Sequence, residues 1–117
     1  MKPATQEKST LYVSMELSDS RWRLAMRGSG AAKVRRRVIE AEDLEGLWRE
    51  VGVAKARLGT GAEAEVVSCY EAGRYGFALH RVLTGRGWRN HVVHPSSVRV
   101  SRQGRRATPR PWSPRTS

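Results

Sequence analysis

The stretch that decides the fold is residues 64–83, AEVVSCYEAGRYGFALHRVL. It opens as an apolar run carrying the β-branched Val66 and Val67 and ends at Tyr70-Glu71. It then turns through Ala72, Gly73 and Arg74 and takes up a helical pattern. Strand, carboxylate, turn, helix is the order in which α/β proteins present a functional side chain, because ligands bind in the crevice outside the carboxyl ends of such strands. Glu71 stands at that end. Burying an isolated charge is very costly, so this carboxylate needs a basic neighbour, solvent or a metal ion. Arg74 is near in sequence. A plainer reading also fits: a solvated Glu ahead of a helix, where the dipole favours negative charge.

Working outward, residues 11–17, LYVSMEL, alternate like a strand, with Leu11, Val13, Met15 and Leu17 on one face and Tyr12, Ser14 and Glu16 on the other. Glu16 is the second carboxylate placed late in a strand. Ser18-Asp19-Ser20 is turn chemistry. Residues 21–27, RWRLAMR, alternate again, so the two segments predict a β-hairpin. Gly28-Ser29-Gly30 is a second turn, and residues 32–39, AKVRRRVI, predict a third strand. Its Arg35, Arg36 and Arg37 fit either a nucleic-acid contact or an edge strand protected against aggregation.

Residues 41–58 predict a helix whose Leu44, Leu47, Trp48, Val51, Ala54 and Leu58 share a buried stripe. Acidic residues sit near its start and Lys55 and Arg57 near its end, as the macrodipole prefers. A second helix is predicted over 75–84, with Tyr75, Leu79, Val82 and Leu83 inward, and a last strand over 88–94. Cys69, the only cysteine, reads as a small buried hydrophobe. Trp22, Trp48 and Trp88 fall on predicted core faces. The domain limits expected are a loose lead over 1–10, one α/β domain over 11–100, and a basic, Pro-rich, disordered tail over 101–117.

The order is strand, strand, strand, helix, strand, helix, strand. A three-stranded antiparallel meander followed by αβαβ resembles the ribonuclease-H-like (RuvC-like) mixed sheet. That layout places the first and fourth strands side by side, with Glu16 and Glu71 as neighbours at one end.

Charge is distributed unevenly. The formal net charge is +11, and all 11 acidic residues lie at or before Glu71, with ten arginines after it. A last third of this kind is an electrostatic footprint for a polyanion, nucleic acid above all. Arg74, Arg99, Arg102, Arg105 and Arg106 join Arg35, Arg36 and Arg37 as candidate nucleic-acid contacts. There is no signal-like segment over 1–10 and no apolar run near the roughly 20 residues that span a membrane, so a cytoplasmic location and no membrane partner are expected. Two carboxylates about 4 Å apart repel by roughly 4 kcal/mol at an effective dielectric near 20. Such a pair holds a cation or a shared proton, and oxygen ligands alone suit Mg²⁺ or Mn²⁺.

LYVSMELSDSRWRLAM (residues 11–26) resembles the opening strand pair of insertion-sequence-one-ten family transposases, which have an N-terminal DEDD, RuvC-like domain. CYEAGRYGFALHRVLTGRGWRNHVVHPSSVR (residues 69–99) resembles that family's "YEA.G.YG..L.R.L...G..V.VV.P..VR" segment. The resemblance spans roughly residues 11–107. It implies that Glu16 and Glu71 are catalytic, metal-binding members of the acidic tetrad, with Glu16 in place of the usual Asp. It implies Mg²⁺ or Mn²⁺ as cofactor, DNA and a guide (bridge) RNA as partners, a homo-oligomer, and DNA transposition by phosphodiester strand transfer. The family's last two Asp are missing: Gly104-Arg105-Arg106-Ala107 runs into Thr108-Pro109 with no acidic residue. The expectation is a truncated or frameshifted fragment, incomplete at the C-terminus and inactive alone. The alternative is a non-catalytic, basic nucleic-acid-binding module. An actin-like ATPase is disfavoured, because the first hairpin turn lacks the glycine that lets backbone approach phosphate. His91 and His94, three apart on a strand, point to opposite faces and do not read as a zinc site.

Overall fold

A computed structural model describes residues 9–73, 75–94 and Pro114. The elements run β1 (Thr10–Leu17), β2 (Arg21–Gly28), β3 (Val34–Glu40), α1 (Leu44–Arg57), β4 (Glu65–Glu71), α2 (Ala78–Gly85) and β5 (Arg89–Val93). The strands form one mixed sheet in the order β3-β2-β1-β4-β5. β1, β2 and β3 pair antiparallel, as the expected meander. β4 returns through α1 to pair parallel with β1, and β5 returns through α2 to pair parallel with β4.

The two-residue period explains the packing. Leu11, Val13 and Met15 of β1 are buried, as are Trp22, Leu24 and Met26 of β2. The register sets Val13 against Met26, Met15 against Leu24, and Leu17 against Trp22. Ser18 closes this hairpin: its hydroxyl donates to the Arg21 carbonyl at 2.7 Å. Leu47, Val51 and Ala54 of α1 and Leu79 and Leu83 of α2 join the same apolar cluster. Both helices therefore cover one face of the sheet. Among the described residues no helix covers the other face.

Both helices start three residues later than the periodicity predicts, at Leu44 and Ala78. Glu42 takes a left-handed φ of 68°, which a helix cannot include. Asp43 then caps α1 by accepting the Gly46 N–H at 2.9 Å. Gly76, with φ of 51°, interrupts the second pattern in the same way. Tyr75 stays in the turn, buried, with its ring edge-to-face on Trp22 at 5.3 Å. The Trp22 indole N–H donates to the Tyr75 hydroxyl at 3.3 Å. Trp88 lies just before β5 and packs edge-to-face on Trp48 at 5.5 Å, with the Arg86 guanidinium 4.0 Å over the Trp48 ring.

Cys69 is not the buried hydrophobe expected. It is half-exposed, because β4 turns Val66, Ser68 and Tyr70 inward instead. The buried polar residue of the strand is Ser68, whose hydroxyl donates to Asn90 Oδ1 at 2.7 Å. The expected lead and tail, including Trp112, lie outside the described residues apart from residues 9, 10 and 114.

Candidate functional site

The parallel register of β1 and β4 brings the two carboxylates together. Met15 is level with Tyr70, and one step further along each strand stand Glu16 and Glu71. Both side chains belong to the face opposite the core and are exposed. With Ser14, Leu17, Ala72, Gly73 and Tyr75 they line a cleft of about 380 Å³. Glu16 is level with Arg23 of β2, and Glu71 is level with Val93 of β5. Among the described residues neither carboxylate is held in an ion pair or hydrogen bond.

The wall of the cleft is stiff. The Tyr70 hydroxyl donates to the Gly76 carbonyl at 2.7 Å, and the Ala72 N–H donates to the Val93 carbonyl at 2.8 Å. Burial pushes the Tyr70 phenol above its ordinary value, opposed by a hydrogen bond at the His80 backbone and by the charge of Arg81. The loop after β4 is thus tied to both the core and β5 while Glu71 remains in solvent.

Chemically, two exposed carboxylates on adjacent strand ends are a hard, all-oxygen donor pair. Mg²⁺ keeps several waters and is commonly bound by one or two carboxylates, so the pair fits such an ion. A cluster of three or more His, Cys, Asp or Glu ligands is not found among the described residues.

The three consecutive arginines are divided by the strand. Arg36 lies on the open face, level with Ala25. Arg35 and Arg37 lie on the helix-covered face at its outer edge, and both reach Glu50 of α1, at 3.5 and 3.6 Å. β3 is an edge strand, so their position also suits protection of that edge. Arg23, Arg36 and Arg37 line a second cleft of about 570 Å³ with Ser14, Glu16 and Val38. The two clefts share Ser14 and Glu16. Arg23 was not among the sequence candidates, although its alternation with Trp22 and Leu24 already put it on the Glu16 side of the hairpin. Arg74, Arg99, Arg102, Arg105 and Arg106 lie outside the described residues. No helix among the described residues is long and apolar enough to cross a membrane.

No protein-family model matches the chain, and no solved structure matches it. The chain is 37% identical over 100 residues to a protein of Sinorhizobium fredii named "Putative transposase y4rJ". That match takes in 83% of this chain and 25% of the relative, so the chain spans a quarter of the length of the curated protein it matches. A mixed α/β sheet with two carboxylates at neighbouring strand ends is thus found in a transposase-related protein.

Proposed function

We propose that this chain is the N-terminal part of a DNA transposase of the insertion-sequence-one-ten type, with a ribonuclease-H-like sheet and a metal site begun by Glu16 and Glu71. The observation that carries the reading is the parallel β1–β4 register, which sets both carboxylates on one face at one end. The strand order β3-β2-β1-β4-β5 supports it, as does the kinship to a transposase.

In this reading Glu16 and Glu71 hold Mg²⁺ or Mn²⁺ beside a DNA phosphodiester. The metal, when bound, would polarise the phosphoryl oxygens and activate an oxygen nucleophile. Arg23 and Arg36, on the cleft that continues from Glu16, bind phosphates of the same strand. Arg74, Arg99, Arg102, Arg105 and Arg106 extend that contact. Arg37 already borders that cleft, and Arg35 adds to it only if it leaves Glu50. A guide (bridge) RNA, a homo-oligomer and a cytoplasmic setting belong to the same proposal. These 117 residues hold no Asp or Glu after Glu71, so they do not supply the last two acidic ligands in the family's order. The chain alone binds metal and DNA without cutting.

Manganese binding followed by electron paramagnetic resonance tests this directly. The full chain should bind Mn²⁺, and Glu16→Gln and Glu71→Gln should each weaken binding about tenfold or more. Unchanged binding in both variants sinks the metal site. Metal-dependent nicking of DNA by the chain alone sinks its inactivity.

A second reading is a non-catalytic nucleic-acid-binding module. It is favoured by the two-carboxylate donor set, which no third ligand completes among the described residues. It requires DNA affinity that falls with log salt at a slope near −0.9 per phosphate contacted on duplex DNA. That affinity would be indifferent to Mg²⁺ and to both Glu→Gln changes.

A further inference from the structure

The open face of the sheet is divided by charge, and the half behind the carboxylates carries an exposed aromatic ring. The registers set this face out in rows across the strands. The row of Glu16 holds Arg23 and Val38. The next row back along β1 is Arg36, Ala25, Ser14, Cys69 and His91, and the one after it is Val34, Arg27, Tyr12, Val67 and Arg89. We propose that these two rows are a track for a single DNA strand leaving the Glu16–Glu71 cleft, with Arg23, Arg36 and Arg27 on its phosphates and Tyr12 stacked on an unpaired base. This rests on the DNA reading above.

Position comes from the register. Tyr12 and Glu16 are four residues apart on one strand and share one side of it, so about 13 Å of backbone separates them. Arg23, Arg36 and Arg27 zigzag between β2 and β3 over the same length. Each step moves one strand sideways and two residues along, about 8 Å between backbone positions. All three side chains are exposed. Arg23 and Arg36 line the cleft that shares Ser14 and Glu16 with the carboxylate cleft, so the track is continuous with it.

Charge selects the ligand. Neither row behind Glu16 holds an acidic residue. Glu65, the next acidic residue beyond them on β4, is paired with Arg89 at 2.9 Å. Among the described residues Arg23, Arg27 and Arg36 are in no ion pair. Three unpaired guanidiniums along one path suit the phosphates of a polyanion. The Arg27 guanidinium lies 5.9 Å from the centre of the Tyr12 ring, at the outer limit of a cation–π contact. Exchanging that contact for a phosphate costs little and leaves the ring to a base.

The ring selects an unpaired strand. Tyr12 is 41% exposed and sits in β1, which pairs with β2 on one side and β4 on the other. Its backbone is fixed from both sides, so it stacks with little freedom left to lose. Stacking needs the flat face of a base, which a duplex hides between neighbouring pairs and a single strand presents whatever its sequence.

The test uses the full chain in Mg²⁺ with three labelled DNAs of equal length: a single strand, the same backbone without bases, and a duplex. Tyr12→Thr keeps a β-branched residue in the strand and should leave the thermal midpoint unchanged. It should weaken binding of the base-bearing single strand by about 5- to 100-fold, with the abasic strand and the duplex unaffected. Tyr12→Phe should restore that binding. Arg27→Gln should weaken both single strands alike and lower the slope of log affinity against log salt by about 0.7. If Tyr12→Thr weakens all three DNAs equally, or none, or if Arg27→Gln leaves affinity and slope as they were, the track is wrong and the DNA reading stands. Tighter binding of an RNA strand of the same sequence would overturn DNA as the occupant. If the wild-type chain binds none of the DNAs even at low salt, the track and the DNA reading fall together.

Discussion

The two faces of the sheet are built from the same strands and share almost nothing else. On one face Leu11, Val13, Met15, Trp22, Leu24, Met26, Val66 and Tyr70 lie under two helices. On the other, the residues between them are exposed or half-exposed: Tyr12, Ser14, Glu16, Arg23, Arg36, Val67, Cys69 and Glu71. Tyr12 and Val38, both large and apolar, are 41% and 55% exposed there. Adjacent residues thus answer to different physics. The covered face obeys apolar burial, worth about 25 cal/mol per Å². The open face is free to hold carboxylates and arginines whose charges a core would not tolerate. A strand can change its site without changing its packing, because every second residue belongs to the other face.

The sharpest way to break this comparison is at the centre of the covered face. Trp22 is fully buried, donates to Tyr75 and packs on its ring. Trp22→Ala should cost about 3–5 kcal/mol, read from urea unfolding. A loss below about 1 kcal/mol would mean that this face does not carry the stability.

An intermediate effect is expected where the covered face meets the cleft. Tyr70→Phe removes the bond to Gly76 and should cost about 0.5–1.5 kcal/mol near neutral pH. The folded phenol titrates above its ordinary 10.0, so between the unfolded and folded values the native chain holds more protons than the unfolded one. Stability from this group is complete below the unfolded value and is lost as pH rises through the folded value. Thermal melts of the wild type should therefore fall away above about pH 10 more steeply than those of Tyr70→Phe. Parallel curves would exclude a buried phenol.

The smallest effect belongs to the open face. Glu16→Gln and Glu71→Gln should each leave stability within about 0.5 kcal/mol, because both side chains are exposed. The double variant should gain slightly at low salt, as a like-charge pair is removed. A loss of several kcal/mol in either would move the carboxylates from the site into the support of the fold.

Much of this was legible in the chain. The hairpin of β1 and β2 follows from strict alternation, and α1 from its apolar stripe, since both periods are local properties. The helix starts were less legible. The left-handed turn at Glu42 and the interruption at Gly76 depend on where the chain must go next, and propensity does not report that. Cys69 was misplaced for a related reason. In an unbroken apolar run the phase of alternation is invisible, and a one-residue shift moves every side chain to the other face.

By itself the sequence determined the elements, their order, the excess of arginine beyond Glu71 and the two late-strand carboxylates. The layout it resembles anticipated β1 beside β4, and the tertiary structure supplied the parallel register that sets Glu16 beside Glu71. The tertiary structure alone separated Arg36 from Arg35 and Arg37 and left one face open. Periodicity comes from contacts between near neighbours along the chain. Adjacency comes from which apolar faces bury each other, and that is settled only when the whole chain packs.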